Sequence, residues 1–308
     1  MIGLPPSIWC ATRCAALECD ARGFKVTDAA RIAAKVALFA FLVSSMLAAG
    51  LSLTPHAVLA PFRNMWILLV ALGLNFVVAP VFALVLSILI PLERPYAIGL
   101  VLLGGAAGAP FLPKLVERAD GDLGFAVALM TLLTVGTTLF MPFALPLMIP
   151  GLHASPWSIA QPLVAFILTP LAIGMLLQSR KMSAALRPIL VKLGSVSALV
   201  LLTLLIALYF HNLVGALGSG AIAACAIFIM GLYAAGYLLG GSRVQIKGVL
   251  GLGTAARNVG AALVPATQSF SDPKVMIMLV TCTIVMLVVL VPVSGWLRKK
   301  ALRATIGQ

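Results

Sequence analysis

Apolar residues run through this chain in long blocks, each near the length of a bilayer crossing, separated by short polar connections. A spanning helix needs ~20 mostly apolar residues, and nine stretches qualify: 31–53, 64–90, 96–118, 122–149, 156–178, 190–211, 217–240, 246–269 and 273–297. No interval between them is long enough for a soluble domain. The pattern therefore predicts an all-α integral membrane protein of nine transmembrane helices. A non-membrane N-terminal tail covers 1–30, the transmembrane domain 31–297, and a short basic tail 298–308. Thr27 or Asp28 is placed to cap the first span. Composition agrees, with 62% hydrophobic and 9% charged residues and a mean hydropathy of +1.15, against about 25% charged in soluble domains.

Two blocks depart from plain apolar character. The eighth, Gly248–Thr267, sets Arg257 and Asn258 side by side in a stretch whose first half is rich in glycine. Charge at membrane depth is expensive and marks a functional site by default. The third block follows the same G-x4-G-x-A-A pattern, from Gly99, Gly104, Ala106 and Ala107 in one copy and Gly248, Gly253, Ala255 and Ala256 in the other. Each copy then reaches an aspartate at the next boundary, Asp122 or Asp272. The match pairs spans one to four with spans six to nine. An offset of five spans inverts the second copy, the arrangement of many secondary transporters built on paired broken helices. Gly104, Gly105, Gly108, Pro110 and Pro113 are expected to unwind span three near mid-membrane, with Gly253 their counterpart in span eight. Small-residue packing through Gly104 and Gly108 is the competing account, but two prolines three residues apart exceed what close packing requires.

The net charge of +13 suggests nucleic acid until its placement is read. Arg63, then Lys114 and Arg118, then Arg180, Lys181, Arg187 and Lys192, then Arg243 and Lys247, and finally Arg298, Lys299, Lys300 and Arg303 occupy alternate connections. The intervening loops hold only Arg94 and Lys274. This is the positive-inside asymmetry. It predicts a multi-pass protein of the cell (inner) membrane, C-terminus cytoplasmic and N-terminus outside, with the lipid bilayer as partner and no nucleic acid. Arg13, Arg22, Lys25, Arg31 and Lys35 fit that orientation poorly. Cys10, Cys14 and Cys19 match no zinc spacing and have no histidine beside them, so they and the spanning Cys225 and Cys282 are expected to be incidental thiols, with no metal and no cofactor. His56, His153 and His211 fall at loops and no His-Glu-x-x-His motif occurs, so an intramembrane enzyme is not expected.

The stretches GLVLLGGAAGAPFLPKL (99–115), ERADGDLGFAVALMTLL (117–133) and GLGTAARNVGAALVPA (251–266) resemble the crossover region of the bile acid:sodium symporter family. MLAAGLSLTP (46–55) and LGLNFVVAPVFAL (72–84) resemble its early spans. The resemblance covers roughly 31–297 and is to a nine-span variant lacking the first helix of ten-span members. It implies a core domain holding two discontinuous crossing helices, a panel domain, and alternating access by movement of one against the other. Sodium sites do not carry over. The family's Glu-x-Gly-x-Gln-Asn motif falls on Gly253–Asn258, with Gly253 at the Glu position and Arg257 at the Gln position. Its other side-chain ligands fall on Leu112, Pro113, Ala126 and Met130, and a Gln of an early span on Asn75. Sodium is a hard cation that needs an oxygen cage, and a permanently charged guanidinium now stands in its place.

The expected function is a secondary, symporter-like transporter of a small organic anion, working without the family's usual sodium sites. Arg257, Asn258, Thr254 and Asn75 are the expected substrate contacts. Arg257 either replaces the sodium charge, grips an anion bidentately, or pairs internally with Glu117 or with half-helix C-terminal ends. Glu117, with Lys114 one turn before it, is the candidate for proton or ion coupling. Thr134, Thr137 and Thr138 are expected to bond back to their own helix as readily as elsewhere. A non-transporting sensor on the same scaffold, or a symporter with a relocated sodium site, is the alternative. An arsenite permease would be expected to carry a cysteine at the crossing, and neither glycine-rich segment has one. The sequence sets no oligomeric state.

Overall fold

The computed structural model describes residues 6–53, 65–152, 154–178, 180–216, 218–241 and 243–306, with side chains described from residue 29 onward. His56, His153, Arg63, and the side chains of Cys10, Cys14, Cys19, Arg180, Lys181 and His211 lie outside that description.

In hydrocarbon every backbone N–H and C=O must be satisfied within the protein, which leaves α-helices and closed barrels, and a continuous apolar block of about 20 residues meets that need as a helix. The described residues form helices α1 (Pro6–Ser52), α2 (Met65–Gly73), α3 (Ala79–Leu89), α4 (Arg94–Gly105), α5 (Leu112–Arg118), α6 (Leu123–Met148) and α7 (Pro156–Leu163), followed by α8 (Thr169–Leu176), α9 (Arg180–Ala216), α10 (Ala221–Leu239), α11 (Val244–Ala255), α12 (Val259–Ser269) and α13 (Pro273–Ile306). Seven helical stretches among them are long and apolar enough to cross a membrane: Ala29–Ser52, Met65–Leu89, Leu123–Met148, Pro156–Leu176, Ser183–Phe210, Ala221–Leu239 and Pro273–Arg303. The third and eighth predicted blocks are each divided into two shorter helices, α4 with α5 and α11 with α12.

Two of the seven crossings pass through a widened turn, Leu74–Val78 between α2 and α3 and Val164–Leu168 between α7 and α8. Each ends two residues before a proline, Pro80 or Pro170, that is the second residue of the next helix. A proline ring clashes with the carbonyl four residues back. Lengthening the turn by one residue relieves that clash, and the bonds from Ala79 N–H to Leu74 O and from Thr169 N–H to Val164 O bridge five residues instead of four. Such π turns concentrate at functional positions, and the first carries Asn75.

α1 packs along α9 and α8. The helices cross so closely that a Cβ on Gly50 would stand 2.8 Å from Gly174 Cα, and Phe39 and Phe166 meet at 4.3 Å between ring centroids. A second group joins α4 to α13 and α3, and α10 to α11 and α13. Leu42 of α1 lies against Gly260 at the start of α12, joining the two groups. Outward faces stay apolar, as at Leu147 (87% exposed) and Trp66 (67% exposed), because lipid replaces water there.

Three details differ from the sequence reading. α1 begins at Pro6, so Thr27 and Asp28 sit inside a helix rather than at its start. α13 runs on to Ile306, which makes most of the 298–308 segment helical. Cys225 and Cys282, expected as separate thiols, are joined by a disulfide between α10 and α13, with Cα atoms 5.2 Å apart. Packing alone brings these cysteines together across 57 residues of sequence, so no local spacing announces the pair.

Candidate functional site

α4 ends at Gly105 and α11 at Ala255, and each leaves its last carbonyls without intrahelical donors. The two ends meet. Asn258 N–H donates to Ala106 O at 2.9 Å, and Asn258 Nδ2 donates to Gly108 O at 3.1 Å, so the second break is bonded directly to the first. Asn258 Oδ1 also accepts from Ala261 N–H at 3.0 Å, capping α12 as Asn does at helix starts.

Arg257 sits in the break and is wholly buried. Its Nε donates to Leu103 O at 3.0 Å, its Nη1 to Asn75 Oδ1 at 2.8 Å and Thr254 O at 3.4 Å, and its Nη2 to Gly104 O. Its own backbone N–H points at Met286 Sδ of α13, 3.3 Å away. The guanidinium thus closes the C-terminal ends of both half-helices at once, and Asn75 joins from the π turn. Among the described residues no carboxylate pairs with it; the four acceptors are one fewer than its five N–H groups. Arg257 is also the only charged residue among the buried polar ones described.

The first break is satisfied from α6. Thr137 Oγ1 accepts from Ala107 N–H at 2.9 Å and bonds Ala107 O at 3.0 Å, while Thr134 Oγ1 shares its hydrogen between Gly108 O at 3.0 Å and Met130 O of its own helix at 2.8 Å. Gly108 takes φ of +80°, and a Cβ there would meet Thr134 N at 2.5 Å, so both conformation and space require glycine.

The predicted site residues divide accordingly. Arg257, Asn258, Thr254 and Asn75 come together, all fully buried, and their polar atoms are engaged within the protein: Thr254 Oγ1 with Leu250 O at 2.8 Å, and Asn75 Nδ2 with Ala71 O at 2.9 Å. Gly108 and Pro110 lie in the break. Gly104 and Gly105 remain helical as the last residues of α4, with Gly104 packed on Ala83, and Pro113 opens α5, where a missing N–H is harmless. Gly253 is also helical, packed under Leu129 and Leu112; the second break begins at Ala256, three residues later. Lys114, in the first turn of α5, and Glu117, near its end, are both exposed. Lys114 Nζ donates to Ser195 Oγ of α9 at 2.7 Å and Arg257 bonds half-helix ends, so the expected pairing of Arg257 with Glu117 is not formed.

Thr134 and Thr137 are the members sequence reasoning left undecided. Their spacing of three places both on one face of α6, and that face opposite a break was the available signal. Thr138 bonds back to Thr134 O at 3.1 Å, as expected of such residues.

Long apolar helices around two broken ones, clamped break to break by a buried arginine, are the build of a multi-pass membrane transporter domain. The profile of the sodium bile acid symporter family matches residues 39–217, more than half of the chain, and the chain belongs to that family. It is therefore a symporter-type membrane transporter. The matched stretch ends before α11, so the segment carrying Arg257 lies beyond it. No curated protein matches the chain.

Proposed function

We propose that this protein is a secondary transporter of a small organic anion, built from nine spans in two inverted repeats and working by alternating access without sodium at the crossing. The observation that carries the reading is Arg257, buried with no carboxylate partner among the described residues and donating to carbonyls of both half-helix ends. Each helix C-terminus carries about half a negative charge. Two such ends together call for about one positive charge, which the guanidinium supplies permanently. The oxygens a sodium ion would need are already engaged, and a second cation at contact distance would be strongly repelled in low dielectric.

Support for inverted repeats comes from Asp122 and Asp272, which occupy corresponding places after each broken pair. Asp122 caps α6 by accepting from Phe125 N–H at 2.9 Å, and Asp272 accepts from Lys274 N–H at 2.8 Å at the start of α13. The group of α1, α8 and α9 corresponds to the panel, and the helices around the crossing to the core. The anion reading rests on a crossing that holds a fixed cation and, among the described residues, no carboxylate to repel an anion, where Arg257, Asn258, Thr254 and Asn75 bring hydrogen-bonding groups once panel and core part. Membership in the plasma (inner) membrane and a cytoplasmic C-terminus follow from the positive-inside rule.

Uptake of radiolabelled carboxylates into proteoliposomes tests the reading. Sodium and potassium gradients should give equal rates, and Arg257→Gln should lose uptake while still inserting and purifying as a folded protein. Full activity in that variant would remove Arg257 from the mechanism.

A further inference from the structure

At the end of the molecule that holds Arg243, Lys247 and the basic run after Arg298, three helices converge: the end of α10, the start of α11 and the end of α13. Tyr237 of α10 stands at their junction. Its ring lies 5.8 Å from that of Tyr233, one turn earlier, and 6.2 Å from that of Trp296 on α13. Two ammonium groups reach this aromatic surface from different helices. Lys247 Nζ is 5.8 Å from the Tyr237 centroid; Lys300 Nζ is 5.3 Å from the same centroid and 5.0 Å from that of Trp296, and donates to Tyr237 Oη at 2.8 Å.

Like charges gathered on one ring repel, and cation–π attraction at exposed sites contributes only ~0.5–1 kcal/mol each. Among the described residues no carboxylate pairs with either lysine; the ion pair present there is Lys274 with Glu93, at the opposite end of α13. An arrangement that holds two cations close without an internal anion is complete when an external anion sits between them. Trp296 decides which anion. It is half exposed, its ring flanks the lysines, and only Leu297 separates it from the basic run. Tryptophan and tyrosine rings settle at headgroup level, and lysines extend their stems past them to reach the interface.

We infer that Lys247 and Lys300, framed by Tyr237 and Trp296, form a binding site for the phosphate of an anionic phospholipid headgroup. The lipid would tie α10, α11 and α13 together at one membrane face, and through α11 it would steady the half-helix that leads to Arg257.

The test uses the full chain in mixed micelles, with Trp9, Trp66 and Trp157 replaced by Phe so that Trp296 alone reports. Brominated phosphatidylglycerol should quench its fluorescence at much lower mole fraction than brominated phosphatidylcholine. Lys247→Gln with Lys300→Gln should weaken the phosphatidylglycerol effect about thirty-fold, since each basic residue near an anionic surface contributes roughly five-fold. A control of equal charge, Lys299→Gln with Arg303→Gln, should retain most of it, and Lys300→Arg should restore binding to a Lys300→Gln chain. Equal quenching by the two lipids overturns the proposal, as does equal loss in the control, which would mean diffuse surface charge. Protection by millimolar inorganic phosphate as strong as that by the lipid would assign the site to a free anion and overturn the lipid reading. None of these outcomes depends on transport, so they stand apart from the anion-carrier reading.

Discussion

Arg257 is fixed from several directions, and each can be broken separately. Replacing it with Gln strips donors from Leu103 O, Gly104 O, Thr254 O and Asn75 Oδ1. A buried acceptor left unsatisfied costs about 1–3 kcal/mol, so thermal unfolding in detergent should show a clear loss of stability in potassium buffer. Those same oxygens are then free for a small hard cation, and sodium should restore part of the loss in Arg257→Gln but none in the wild type. Thr137→Val tests the first break. It removes both bonds to Ala107 while keeping the shape of the side chain, and it should lower stability by about 1–3 kcal/mol in denaturant melts. Gly108→Ala confronts both the φ of +80° and Thr134, and should yield little folded protein on size-exclusion chromatography.

Elements show where local pattern was enough and where it was not. Blocks of apolar residues announce helices because lipid leaves the backbone no other partner, so most of the long helices fall close to their expected places. The breaks were legible as regions through glycine and proline: Gly108 and Pro110 lie in the first, whereas the second begins three residues after Gly253. Gly104 and Gly253 serve close packing inside the helices, and the backbone leaves the helix at Ala106 and Ala256. A glycine marks where helices approach, whereas a break needs partners for the freed groups, and Asn258, Thr134 and Thr137 supply them from elsewhere in the chain. The disulfide between Cys225 and Cys282 is likewise a product of packing. Movement of α9 against α5 has its own probe. The bond from Lys114 to Ser195 joins the two groups of helices at one end, so Ser195→Ala should shift the balance of accessible states by about 1 kcal/mol. Cysteine-accessibility labelling on either side of the membrane would register that as a several-fold change in rate.

For the whole molecule, the proposed orientation rests on the alternation of basic and near-neutral connections. Single cysteines placed at Arg118 and Arg303 should be labelled by a membrane-impermeant maleimide only after inner-membrane vesicles are opened to the cytoplasmic face, whereas one at Lys274 should react from outside in intact cells. Charge also links the ends to the middle. Lys247, in the first turn of α11 at the lipid-facing junction, and Arg257, just past its end at the crossing, are ten positions apart in sequence. Loss of anionic lipid should therefore lower transport without altering which cation, if any, it requires.

The most direct measurement is carboxylate uptake by wild-type protein in proteoliposomes with the external cation switched between sodium and potassium at constant ionic strength. A guanidinium that already neutralises the two half-helix ends predicts identical initial rates in both. Uptake that appears only with sodium, and rises with its concentration, would contradict that account.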